Sequence, residues 1–87
     1  MCCEYLVTGK VQGVGYRYFA RTAAAKYQLA GSAVNQNDGT VRVRLCGPAE
    51  KIAAVEELLG TGPNWAIVNE VQRRSVACSQ PQNFVTG

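Results

Sequence analysis

A change of period across Gly9–Arg17 constrains this chain more than any other feature. Before it, Tyr5, Leu6, Val7 and Thr8 alternate weakly and predict a strand over Cys3–Gly9. After it, Tyr16, Phe19, Ala20, Ala23, Ala24 and Tyr27 recur at three- and four-residue steps. That is the apolar stripe of a helix lying between Tyr16 and Leu29, with Gly31 near its expected C-terminal cap. Three glycines, Gly9, Gly13 and Gly15, fall within the seven residues where the period changes. Strand and helix are therefore joined by a tight turn. Arg17 stands in the first turn of the helix, where unpaired backbone N–H groups already carry partial positive charge. A cation there makes sense if an anion lies between the N–H groups and the guanidinium. The turn reads as a cradle for a phosphate-sized anion.

The rest of the chain supplies a sheet around that turn. Ser32–Asn37 reads as a second strand, Asp38-Gly39 as a hairpin turn, and Thr40–Leu45 as a third strand. In the third, Val41, Val43 and Leu45 face a core, and Arg42 and Arg44 face water. Pro48 suits the first position of a second helix, whose apolar face is Ile52, Val55, Leu58 and Leu59. Gly60 to Asn64 reads as a loop. Trp65–Val76 reads as a long strand, with Trp65 packed near its start. Ala66 and Val68 share one parity and Val71 has the other, so a bulge is expected near Asn69-Glu70. Phe84-Val85 is a candidate short pairing segment in a polar tail.

Strand, helix, strand, strand, helix, strand is the order of a split β-α-β sandwich. Right-handed crossovers then give the spatial order fourth, first, third, second. The end of the first strand and the end of the second share one edge of the sheet, two strand spacings apart, roughly 10 Å. The turn at 10–15 and Asn35 therefore meet there. Cys2-Cys3 at the start of the first strand faces Cys46 at the end of the third, so a disulfide Cys2–Cys46 or Cys3–Cys46 is geometrically allowed. The alternative is small, partly buried thiols.

Composition narrows the chemistry. Eighty-seven residues, 47% hydrophobic and 17% charged, are expected to form one globular domain, 1–87. The nine basic residues are scattered and the net charge is only +3, which argues against a nucleic-acid or membrane surface. Arg42 and Arg44 lack the interleaved aromatics of an RNA-binding sheet. No apolar run approaches the ~18 residues of a membrane span. The start Met1-Cys2-Cys3-Glu4 lacks a signal-peptide pattern, so a cytoplasmic setting is expected. There is no histidine, no CxxC pair and no carboxylate cluster, so no metal site and no histidine base are expected. The glycine turn is neither a Walker loop nor a dinucleotide fingerprint, since position 18 is Tyr18. Asn35 reads as a turn residue or as an amide that holds a water, because it can both donate and accept. Phosphoryl chemistry on such a site needs a leaving group that departs without a general acid.

Gly9-Lys10-Val11-Gln12-Gly13-Val14-Gly15-Tyr16-Arg17 closely resembles the first signature of the acylphosphatase family. Gly31-Ser32-Ala33-Val34-Asn35, followed by Asp38-Gly39-Thr40-Val41 and Gly47, resembles the second. The similarity spans nearly the whole chain. It implies a ferredoxin-like α+β fold (βαββαβ), with a four- to five-stranded antiparallel sheet and two helices on one face. It implies hydrolysis of the carboxyl–phosphate bond of small acyl phosphates to carboxylate and inorganic phosphate, without metal or cofactor. By position, Arg17 binds the phosphoryl group, Asn35 orients the attacking water, and backbone N–H groups of Gln12, Gly13, Val14, Gly15 and Tyr16 close the phosphate cradle. Inorganic phosphate or sulfate is the expected site ligand. Two positions differ from the common pattern. Ser32 follows Gly31 where the family is often aromatic, and Tyr16 precedes the arginine where it is often phenylalanine. A freestanding monomeric enzyme is expected. The alternative is a non-catalytic ferredoxin-like module that binds an anion or a protein; the same motifs also occur as a domain of larger carbamoyl-transfer relatives of the family.

Overall fold

Alternation along the central strands decides the architecture. In the computed structural model, which describes residues 1–77 and 84–86, β1 (Cys2–Lys10) turns Cys3, Tyr5 and Val7 into the core. β3 (Val41–Cys46) does the same with Val41, Val43 and Leu45. Helices α1 (Tyr16–Lys26) and α2 (Ala49–Thr61) cover that face with Tyr16, Ala20, Ala24, Ile52, Val55 and Leu59. With β2 (Ala30–Asn35), β4 (Ile67–Val76) and β5 (Phe84–Thr86), the sheet order is β4-β1-β3-β2-β5. The four strands expected from the sequence take the expected spatial order. β5 lies parallel to β2, with Gly31 opposite Phe84, so the sheet is mixed rather than purely antiparallel. Sequence alternation could not give that direction, because it depends on the path of the tail.

Several local expectations are corrected by packing. α1 stops at Lys26, and its left-handed residue is Gln28 (φ 58°) rather than Gly31. The N–H of Leu29 donates to the Ala24 carbonyl (2.8 Å) and that of Gln28 to the Ala25 carbonyl (3.1 Å), closing the helix end while Leu29 is buried. Gly31 lies inside β2 instead, where any Cβ would collide with the Arg44 carbonyl oxygen. Pairing of Ala30 with Cys46 and Asn35 with Val41 shifts β2 two residues towards the N-terminus of the expected span. α2 continues through Gly60 to Thr61, because burial of Leu59 outweighs the helix cost of one glycine. Trp65 is 80% exposed rather than packed, and β4 begins only at Ile67. The bulge falls as expected. Thr8 pairs with Glu70 and Gly9 with Val68, which leaves Asn69 as the extra residue. Gly9 is required there, since a Cβ would strike the Ile67 carbonyl oxygen.

The other face of the sheet carries the alternate residues. Cys2 and Cys46 are register partners with Cα atoms 4.1 Å apart, and the structure joins them as a disulfide. Cys3, one residue on, points into the core and is a free thiol, so the strand period separates the two pairings left open above. Cys78 lies outside the described residues. Ser32 sits opposite Arg44 on this open face, away from the packing around Asn35. Glu4 is nearly buried beside Arg74 (2.8 Å) and Arg44 (3.3 Å). Burial by itself raises its carboxyl, but hydrogen bonds from Arg74 and Arg44 outweigh it and hold the group below its ordinary value.

Two outcomes are expected. The disulfide spans 44 residues of sequence, so its reduction should cost about 4 kcal/mol in urea unfolding. An unchanged midpoint, with no mass change on reduction, would show that no bridge forms in solution. For Glu4, a lowered folded pKa contributes stability that is complete above the unfolded value, near ~4.3. That part is lost as pH falls through the lower folded value. Glu4→Gln should therefore flatten the acid limb of the melting temperature below about pH 5, and an unaltered limb would remove Glu4 from the account.

Candidate active site

The site begins at one line across the sheet. Val7 pairs with Val41, and Val41 pairs with Asn35. All three stand level, and Asn35 shares the parity of Ala33, on the face the helices cover. β1 runs three residues past Val7 to Lys10, then turns back over this line into α1. Gly13 (φ 72°) and Gly15 (φ 79°) both take the left-handed conformation in that turn. A side-chained residue would cost about 1–2 kcal/mol at each. Gly15 is the N-cap, so no side chain caps the helix, and the first turn holds no acidic residue. Among the described residues, no backbone N–H from Gln12 to Tyr16 donates to a backbone carbonyl.

Tyr16 anchors the turn. Its ring is buried, and its hydroxyl donates to the Leu59 carbonyl of α2 at 2.8 Å. Burial pushes the phenol well above its ordinary value, so it stays neutral. The hydroxyl that separates Tyr16 from phenylalanine thus ties α1 to α2. With Tyr16 pinned inwards, Arg17 next to it falls on the cavity side, half-buried.

The cavity measures about 230 Å³, lined by Gly13, Gly15, Tyr16, Arg17, Asn35 and Thr86 among others. It is below the ~300–1,000 Å³ of pockets for drug-sized ligands, so a small ligand fits. Among the described residues no carboxylate lines it, and the charged side chains that do, Arg17 and Arg21, are positive. Asn35 Oδ1 is buried with no hydrogen-bond partner among the described residues. An unpartnered buried acceptor costs about 1–3 kcal/mol. Among the described residues, no group of three or more His, Cys, Asp or Glu side chains could hold a metal ion.

Most of the residues singled out from the sequence meet here, and two do not. Gly13, Gly15, Tyr16, Arg17 and Asn35 line one cavity. Val14 is partly buried against the core instead. The Gln12 side chain turns to the β2–β3 hairpin, where Nε2 donates to the carbonyls of Gln36 (2.7 Å) and Thr40 (2.9 Å). Gln12 thereby ties the turn to the hairpin that follows Asn35. Tyr18, Arg21 and Thr86 also line the cavity and were not read from the sequence. Tyr18 and Arg21 lie off the apolar stripe and look like an ordinary solvated helix face. Arg17 to Arg21 is a step of four, so both can share one face, and that spacing was the available signal. Thr86 had none, since its place depends on the direction of β5.

The acylphosphatase family model matches residues 3–86. An acylphosphatase of Vibrio parahaemolyticus serotype O3:K6 (strain RIMD 2210633) is 46% identical over 83 residues, covering 95% of this chain and 92% of that one. One of Solibacter usitatus (strain Ellin6076) is 39% identical, covering 93% and 84%. The crystal structure of the Bacillus subtilis acylphosphatase superposes with a TM-score of 0.95 at 30% identity, covering 99% of this chain and 97% of that one. Full-length HypF, in its phosphate- and nucleotide-bound form, contains a similar region. There the TM-score is 0.92 at 28% identity, over 99% of this chain but 11% of that one.

Gln12→Leu keeps the side chain's size and removes both bonds to the hairpin. It should destabilise the chain by about 1–2 kcal/mol and speed amide exchange in residues 12–16 more than in the central strands. Unchanged exchange there would show that the tether does not restrain the turn.

Proposed function

The chain belongs to the acylphosphatase family and is a hydrolase of that kind, and we propose that Arg17 and Asn35 carry its reaction. The phosphoryl group of a small acyl phosphate lies between the Arg17 guanidinium and the backbone N–H groups of the turn. Arginine offers two parallel donors to two phosphoryl oxygens, which the point charge of lysine cannot match. Asn35 Oδ1 accepts a hydrogen bond from a water and aims its oxygen at phosphorus, opposite the acyl oxygen. The bond from water oxygen to phosphorus forms as that from phosphorus to acyl oxygen breaks. The bonding electrons leave with the carboxylate. A carboxylate is the base of an acid with a pKa near ~4–5, so it departs without a general acid. The water's proton passes to a phosphoryl oxygen of the substrate itself. Catalysis then rests on positioning and on charge stabilisation as the transition state forms.

The orphaned Asn35 Oδ1 carries this reading. A module that only held an anion would use Arg17 and the N–H groups, and would gain nothing from an unpaired amide oxygen on a residue that lines the same cavity. In its setting the proposal is a cytoplasmic monomer, with residues 1–87 as one unit, acting on small acyl phosphates and binding inorganic phosphate or sulfate in the same place. It has no role for nucleic acid. No helix of the described residues is long and apolar enough to cross a membrane.

Benzoyl phosphate hydrolysis tests the assignment. Arg17→Ala should lower kcat/KM by about 100-fold or more, as loss of a transition-state donor does. Asn35→Ala should lower kcat by about 100-fold while inorganic phosphate still competes for the site. A normal kcat in Asn35→Ala would refute the water-holding role. Turnover that survives Arg17→Ala would refute the phosphoryl site.

A further inference from the structure

Hydrolysis of a simple acyl phosphate leaves Arg21 unexplained. Arg21 stands four residues after Arg17 on α1 and lines the same cavity. The other arginines of the chain are all engaged. Arg42 donates to Gln36 Oε1 at 2.9 Å. Arg44 and Arg74 hold Glu4, and Arg73 holds Glu56. Arg17 also has a partner. Arg21 makes no hydrogen bond or ion pair among the described residues. Its helix offers it none, since Tyr16–Lys26 contains no Asp or Glu.

The placement is unfavourable for the protein alone. Like charges four residues apart on a helix repel, with Cβ atoms about 5–6 Å apart. Arg17 stands in the first turn of α1, whose N-terminal end is itself positive. A cation that served only to keep a surface wet would lie better on the opposite side of the helix. Two cations one turn apart on one cavity match a ligand with two anionic ends. Between them in sequence, Tyr18 is 70% exposed on the same cavity and presents a ring against which a short methylene chain can lie.

We propose that Arg21 is a specificity-determining residue that takes a second anionic group on the acyl part of the substrate. The favoured substrates are then acyl phosphates of dicarboxylic acids, or others with an anion a few bonds from the acyl carbon. The inference rests on the reading of Arg17 as the phosphoryl site.

Butyryl phosphate and succinyl phosphate test it, because they differ in a terminal methyl against a terminal carboxylate. The quantity to measure is the ratio of their kcat/KM values, in which any loss of folded protein cancels. The wild-type chain should favour succinyl phosphate. Arg21→Gln should lower the ratio about fivefold, as expected for an exposed ion pair. Arg21→Glu should lower it further by repulsion. The change should appear mainly in KM, since the contact exists in ground and transition states alike. Raising the salt to about 0.5 M should bring the wild-type ratio towards that of Arg21→Gln. Both substrates turned over, with a ratio that neither variant moves, would overturn the Arg21 subsite and leave the catalytic reading standing. If the wild-type chain hydrolyses neither substrate, or Arg17→Ala hydrolyses both, the catalytic reading falls and takes this inference with it.

Discussion

The register between β1 and β3 is the constraint on which the rest depends. Cys2 opposite Cys46 at one end and Val7 opposite Val41 at the other leave no freedom to slip. A shift of β3 by one residue against β1 would turn Val41, Val43 and Leu45 out of the core and Arg42 and Arg44 into it. Through Val41 the same register sets the level of Asn35 on β2. Through the end of β1 it sets where the glycine turn folds back. The distance between the glycine turn and Asn35 across the cavity is thus a property of sheet pairing, and no direct bond between them is needed.

Onto that frame the turn adds a local conflict that the fold does not relieve. Glycines in the left-handed conformation, a helix start with no side-chain cap and a cation in the first turn all run against local stability. The fold holds them in place through contacts at a distance. Tyr16 is fixed by the Leu59 carbonyl, and Gln12 by two carbonyls of the hairpin. A binding site for a small anion needs such prior positioning, because a phosphoryl group brings little surface of its own to order the residues around it. The arrangement also explains the hydroxyl of Tyr16. It supports the first turn by tying it to the Leu59 carbonyl of α2.

The two faces of the sheet divide the work. The helix-covered face carries the core and, at one end, the cavity. The open face carries the Cys2–Cys46 pair and the cluster of Glu4 with Arg44 and Arg74. Arg44 and Arg74 therefore have a structural partner, and Arg42 is held by Gln36. Arg17 and Arg21 of α1 instead line the cavity on the helix-covered face.

What the sequence determined by itself was whatever depends on period and on residue type. The alternation in β3, the stripe of α1, the bulge near Asn69 and the order of elements were legible because each is a local pattern that one burial direction explains. Arg17 and Asn35 were legible because a cation at a helix start and an amide before a turn are conspicuous in chemistry, and because their motifs resemble a known family. Tertiary structure alone decided what depends on distant partners. Gly31 became a strand residue because the Arg44 carbonyl passes so close, and α2 kept Gly60 because Leu59 had a core to fill. Trp65 was left in solvent because β4 begins beyond it. The direction of β5 and the closure of one cavity by Arg21 and Thr86 belong to the same class. A side chain's neighbours across the sheet are set by how strands and helices pack, and no periodicity within a single segment carries that information.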